Sequence, residues 1–395
     1  MGRAELSPET YQLIVRHVTK RTELCVLARV SRGFQRAAER ALYNTLHMRD
    51  AQRTVALCDQ LAQTPRLALC VQALTFFVCD EDEDDDACSQ YSGDSASTAS
   101  SSSDASMNCC SSRSPETLPP EFWDSVAGAL RAVRQLRFLN VYLGNVPSAT
   151  QAWILRGTQF QLHTLHCDLS WDADLAACLA TQTSLRDLYI ADYQPSAKCD
   201  AALADAIPKL AALECAHTDA ARALIPGRPV SYVKTCLSAP AEPGAREAEL
   251  KLLLDAVAQS TEPLCAFDVA DAAYDVRFSL HLLGAVACRP QTFGRLRHLG
   301  TVSLPLAGAP RLQLYGALRR LPVLRAIELE LGEWPPHMPD RALVALAKEA
   351  ALYCPWFSTF VFVAGYERRV MRRYRGKCWV DEDASADGVW RETQL

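Results

Sequence analysis

One apolar triplet, spaced apolar–two residues–apolar–one residue–apolar, recurs along most of this chain and constrains its fold more than any other feature. It appears as Val71/Leu74/Phe76, Leu136/Leu139/Val141, Leu162/Leu165/Cys167, Leu185/Leu188/Ile190 and Leu210/Leu213/Cys215. It continues as Val230/Val233/Thr235, Leu264/Phe267/Val269, Leu299/Val302/Leu304, Leu324/Ile327/Leu329 and Phe357/Phe360/Phe362. The last two members of each triplet are two residues apart and share one face of a strand. Between triplets the apolar spacing turns helical, as in PPEFWDSVAGALRAVRQ, AREAELKLLLDAVAQS and PDRALVALAKEAALY. In the last of these Asp340, behind Pro339, is placed to cap the helix.

Where the repeats run most cleanly, from 136 to 210, successive starts lie 26, 23 and 25 residues apart. A strand-plus-helix unit of that length cannot bury its apolar face alone, so neighbouring units stack. Strand, turn, helix and strand at this period is the layout of a leucine-rich repeat. The expected fold is therefore α/β, an irregular leucine-rich-repeat solenoid with a parallel β-sheet on its concave face. The same spacing also fits an ordinary α/β domain. The repeats are degenerate: later intervals stretch to 33–35 residues, and Gly144, Ser170, Tyr193 and Thr218 stand where asparagine or cysteine is usual.

In this register the residues flanking the second and third triplet positions face away from the core. They include Tyr142, Asp168, Asp187, Tyr189, Glu214, Tyr232, Asp268 and Glu328, the predicted substrate-binding set. Phe138, Asn140, Thr164, His166, Lys234 and Glu330 share the face, so six carboxylates and four aromatics accompany one lysine. Such a face suits a basic partner segment, with the acids steering approach and Tyr142, Tyr189 and Tyr232 as anchors. Acids on every exposed face of an acidic protein would look the same.

The net charge of -5 argues against general nucleic-acid binding. Residues 1–20 lack the uninterrupted apolar core of a signal peptide, and no apolar run reaches membrane-spanning length. The chain reads as intracellular, cytoplasmic and/or nuclear, with no membrane partner. Its 16 cysteines are scattered singly, as at Cys25, Cys58, Cys167, Cys215 and Cys265, apart from the pair Cys109 and Cys110. Without a Cys-x-x-Cys spacing they read as reduced core thiols, and no metal or other cofactor is expected. Residues 80–115 open on seven consecutive acids and continue serine-rich, a composition that cannot repay the entropy of ordering.

No nucleophile elbow, phosphate loop, zinc-protease motif or dinucleotide fingerprint occurs, so no enzyme is expected. His163 and His166 would fall on opposite faces of a strand. The one basic cluster, ERRVMRRYRGK, suits an import or phosphate-binding patch. It also suits a solvated edge paired with Asp381, Glu382 and Asp383, or a cap on the open end of the repeats.

Residues 5–46 read as three short helices: one opened by Pro8 and Glu9, one capped by Thr22, one started by Ser31. The segment resembles an F-box. Leu6 and Glu9 match the opening of that family's pattern, Ile14, Val15 and Val18 its first helix, and Glu23, Leu24 and Leu27 its second. Val30, Ser31, Arg32 and Phe34 match its VSRxF signature; Ser7 and Thr10 depart from it, standing for a proline and an apolar residue. With the repeats behind it, the chain resembles the F-box/leucine-rich-repeat proteins, particularly the large and variable fungal set. The resemblance implies a substrate-receptor subunit of an SCF-type cullin–RING ubiquitin ligase, whose F-box holds a Skp-type adaptor and whose repeats hold a protein substrate. The implied adaptor contacts are Leu6, Pro8, Glu9, Leu13, Ile14, Val18, Leu24, Leu27, Val30 and Phe34. The alternative is a non-catalytic scaffolding repeat protein whose helices only cap the solenoid. The expected divisions are helices at 1–50, a first repeat unit at 51–79, the insertion at 80–115, repeats at 116–365 and a cap or tail at 366–395.

Overall fold

The computed structural model describes residues 6–77, 118, 121–142, 152–238, 244–270, 274–335, 338–365 and 367–392. The acidic–serine run, Cys109, Cys110 and Gly144 lie outside the described residues. The fold is mixed α/β, built on one open sheet. Its strands are β1 Thr45–Met48, β2 Ala73–Phe77, β3 Phe138–Tyr142, β4 Thr164–Cys167, β5 Asp187–Ile190, β6 Ala212–Cys215 and β7 Tyr232–Cys236. There follow β8 Ala266–Ala270, β9 His298–Ser303, β10 Ala326–Glu330, β11 Thr359–Ala364, β12 Glu367–Tyr374 and β13 Lys377–Val380.

Each strand lies beside its predecessor, so spatial order equals chain order. Pairing is parallel from β1 to β11 and antiparallel from β11 to β13. Parallel neighbours require a crossover. Helices such as Ala51–Gln63, Phe122–Ala132, Ala245–Val257 and Asp340–Tyr353 supply it. Because every unit repeats the same step, the second triplet positions stand in register as one ladder. It runs Leu46, Leu74, Leu139, Leu165, Leu188, Leu213, Val233, Phe267, Leu299, Ile327 and Phe360. All are buried on the helix side, in the main core.

Four readings change. At β9 the ladder makes Leu299 a second-position residue, with buried Leu296 before it, so the triplet Leu299/Val302/Leu304 is out of step. The cause is an extra residue: Ile327 and Leu329 of β10 face Leu299 and Val302 of β9. Strand β1 lies within the segment read as wholly helical, its Leu46 and Met48 buried. The second helix has Lys20, not Thr22, at its N-cap position and no side-chain cap, and Asp340 is a first-turn residue behind Pro339, its carboxylate 2.6 Å from Arg369.

Helices α1 Pro8–Arg16, α2 Arg21–Leu27 and α3 Arg32–Tyr43 enclose a separate small core. It comprises Val15, Leu24 and Ala37, with Tyr11, Val18, Leu27, Phe34 and Leu42 packed around them. The Ser31 hydroxyl accepts from Phe34 N at 3.3 Å, and Ser7 does the same for Thr10 N at 3.3 Å. Ser7 thus supplies a cap where the family pattern has proline. Helix α3 also meets the helix Pro65–Ala68 and β1.

Cys58, Cys167 and Cys215 are buried, which pushes each thiol up to about 12. Cys25 is exposed and Cys265 half-buried, so those two are not core thiols. Among the described residues no helix is long and apolar enough to cross a membrane.

Candidate functional site

The face of the sheet opposite the helices carries two rows of side chains, set by the parallel register. One row runs Thr164, Asp187, Ala212, Tyr232, Ala266 and His298. The next runs Asn140, His166, Tyr189, Glu214, Lys234 and Asp268. The predicted binding residues Asp187, Tyr189, Glu214, Tyr232, Asp268 and Glu328 do share this face. Tyr142 stacks on Phe77 at 5.3 Å toward its β2–β3 end, and Asp168 follows β4.

The face is not an open acidic surface. Asp187 Oδ1 lies 3.3 Å from His166 Nε2, and Glu214 Oε1 lies 3.1 Å from Lys234 Nζ. Glu328 pairs with Arg368, and its Oε1 stands 3.3 Å from His298 Nε2. Asp268 accepts from Thr301 N at 3.3 Å. At 2 % and 0 % exposure, Asp268 and Glu328 are enclosed and cannot meet a partner directly.

Each charge responds to its neighbours. Burial lifts the Asp268 carboxyl to about 6, and the nearby Glu328 carboxylate adds to the lift. Burial would raise Glu328 too, but His298 and Arg368 outweigh it and hold that carboxyl below its usual range. Asp187 is likewise lowered, because His166 and Arg391 outweigh its burial. Lys234 is raised, because Glu214 and Asp268 outweigh its desolvation.

Much of the face is covered by the chain itself. After β13, Asp381 N donates to Val370 O at 2.8 Å, and Arg372 Nε reaches Asp381 at 3.1 Å. Arg368 also holds Asp387. The helical turn Val389–Glu392 then settles on the sheet. Val389 packs on Ala326, Val361 and Val370; Trp390 packs on Ala212, Tyr232 and Ala266. Arg391 Nη2 donates to Asp187 at 3.3 Å and to Glu214 at 2.9 Å, while Glu392 lies 2.7 Å from Arg372 of β12. In a flat sheet β5 and β12 would stand about 34 Å apart. Neighbouring residues 391 and 392 contact both, so the sheet curves around the turn.

This arrangement corrects one expectation and decides between the readings of another. Tyr232 is no free anchor; at 9 % exposure it forms part of the floor beneath Trp390. The basic cluster is built into β12, where Arg368, Arg369 and Arg372 meet Glu328, Asp340 and Asp381. Pairing with Asp381 agrees with the edge reading. Sequence reasoning missed Trp390 and Arg391. The available signal was the small residues Ala212, Ala266 and Ala326, which stand in one row with Tyr232 and His298.

A second surface lies on α1 and α2. Leu13, Val26 and Val30 are 57 %, 64 % and 63 % exposed, and Leu6 and Ile14 are exposed beside them. Val18, Thr22, Glu23, Val26 and Leu27 line a shallow dish there. Pro8 and Glu9 are exposed; Val18, Leu27 and Phe34 are half-buried in the small core. Leu24, predicted as an adaptor contact, is 6 % exposed and serves that core instead. Val26 was missed because it falls outside the family pattern.

No protein-family model matches the chain, and no curated protein shows significant sequence similarity to it. Among the described residues no group of three or more His, Cys, Asp or Glu side chains is placed to hold a metal ion.

Proposed function

We propose that the chain is a substrate-receptor subunit of an SCF-type cullin–RING ubiquitin ligase. Helices α1 and α2 hold a Skp-type adaptor, and the inner face of a leucine-rich-repeat solenoid holds a protein substrate; ubiquitin transfer belongs to the partners. The observation that carries this reading is the division of apolar residues on α1 and α2. Val15 and Leu24 face inward, while Leu13, Ile14, Val26 and Val30 remain exposed. Apolar side chains left exposed around the dish lined by Val18, Val26 and Leu27 are what an interface would use. One observation favours the scaffolding alternative: α3 leads directly into β1, the first strand of the sheet, and also meets the helix Pro65–Ala68.

The test is affinity purification of the full chain from native cells, comparing wild type with Leu13→Asp/Val30→Asp. Both side chains are exposed, so the free chain tolerates the change, whereas Leu27 also serves the small core. The wild type is expected to retrieve adaptor and cullin, and the double variant neither, with an unchanged circular dichroism spectrum. Equal retrieval by both chains, or none by the wild type, overturns the adaptor reading.

A further inference from the structure

We infer that the inner face over β5–β8 is a binding site for a peptide segment in which an aromatic residue precedes an arginine, and that Trp390–Arg391 occupies it as an internal stand-in. The inference rests on reading this face as the partner-binding surface and is independent of the adaptor reading.

The site has two complementary parts. Ala212 and Ala266, flanking Tyr232, leave room for the Trp390 ring, which is 1 % exposed. Beside this depression, Asp187 and Glu214 together grip one guanidinium, that of Arg391, which also lies 4.4 Å from the Trp390 ring. Aromatic and arginine side chains of this kind dominate binding energy at peptide and protein interfaces. Each carboxylate also has a partner within the sheet: Lys234 for Glu214, and His166, which Arg391 itself approaches at 3.5 Å, for Asp187. Neighbours within the sheet therefore remain to hold both carboxylates when the occupant leaves.

The manner of attachment also points to an exchangeable occupant. Between Asp381 and Gly388 every residue is exposed or half-buried, and Val389 and Trp390 alone are buried in the segment 381–392. The Trp390 cluster is separate from the main core, which lies on the helix side of the sheet. A four-residue turn has no helical stability of its own. The segment is thus held by a few anchors, as a bound peptide is, and a competing segment with the same anchors can take its place.

The probe is a fluorescein-labelled decapeptide of sequence ADGVWRETQL, residues 386–395. Its anisotropy is followed against the purified full-length chain, wild type or Arg391→Glu. The Arg391→Glu chain is expected to bind the probe at least tenfold more tightly than wild type. Probes carrying Trp390→Ala or Arg391→Glu are expected to lose at least tenfold in affinity. No binding, equal binding by both chains, or indifference to the probe's tryptophan and arginine overturns the inference. If the Arg391→Glu chain loses its cooperative thermal transition, hydrogen exchange on the wild-type chain decides. Excess probe should speed exchange at 386–392, and unchanged exchange there overturns the inference as well.

Discussion

Asp268 is the residue at which the electrostatics of the inner face are most exposed to test. Its carboxyl is raised from 3.8 to about 6, by burial first and by Glu328 second. A carboxyl raised on folding binds more protons in the folded state between those values, so its contribution to stability falls as pH rises through that window. Well above pH 6 the charge opposes folding by about 3 kcal/mol. Asp268→Asn is therefore expected to raise the thermal midpoint at pH 7.5, and to raise it by progressively less as pH falls toward 3.8. An equal or lower midpoint at pH 7.5 would show that the charge is needed by Lys234 or Arg368. Asp187 and Glu328 behave oppositely: their depressed carboxyls contribute stability above the usual carboxylate range and lose it as pH falls further. Sequence spacing placed these side chains on one face. It could not show that His298 and Arg368 would pair with Glu328, or Arg391 with Asp187, because those residues come from other elements.

Among the elements, β9 shows both how far periodicity reaches and where it stops. Alternation was enough to find strands β2–β11, since each buries its triplet against the helices. It failed at β9 because the extra residue there keeps apolar side chains at plausible spacings while shifting the register. The glycine at this irregularity has a steric reason. A Cβ on Gly300 would stand 1.9 Å from Asp268 Oδ1 and 2.5 Å from Asp268 Cβ. That distance forces β8 and β9 apart, or the buried carboxylate out of place. Gly300→Ala is predicted to cost about 1–3 kcal/mol, the usual range for overpacking a close-packed interior. Denaturant titration measures it; a loss below about 0.5 kcal/mol, the scatter of neutral surface changes, contradicts the packing argument. Strand β1 escaped notice for a different reason: Leu46 and Met48 give only two alternations, too few to stand out beside helix α3.

Over the whole molecule, the segment 381–392 was the part least legible in sequence. Arg391 meets His166, Asp187 and Glu214, which lie 225, 204 and 177 residues earlier, and no local period encodes such a contact. The curvature that makes it possible has a simpler origin. Parallel strands stack about 4.8 Å apart, whereas helices need about 8–10 Å between axes. A layer of helices outside a layer of strands must therefore bend the sheet toward its strand face, whatever lies on that face. The hollow should then exist before the turn Val389–Glu392 enters it. Small-angle X-ray scattering of full-length Trp390→Ala/Arg391→Glu tests this against wild type. Hydrogen exchange at 386–392 is expected to rise, showing that the segment has left, while the radius of gyration stays within error. A clear expansion would mean instead that the salt bridges from β5 and β6 through Arg391, and from β12 to Glu392, draw the two arms of the sheet together. The preformed hollow would then be lost, and any incoming segment would have to close the sheet as it bound.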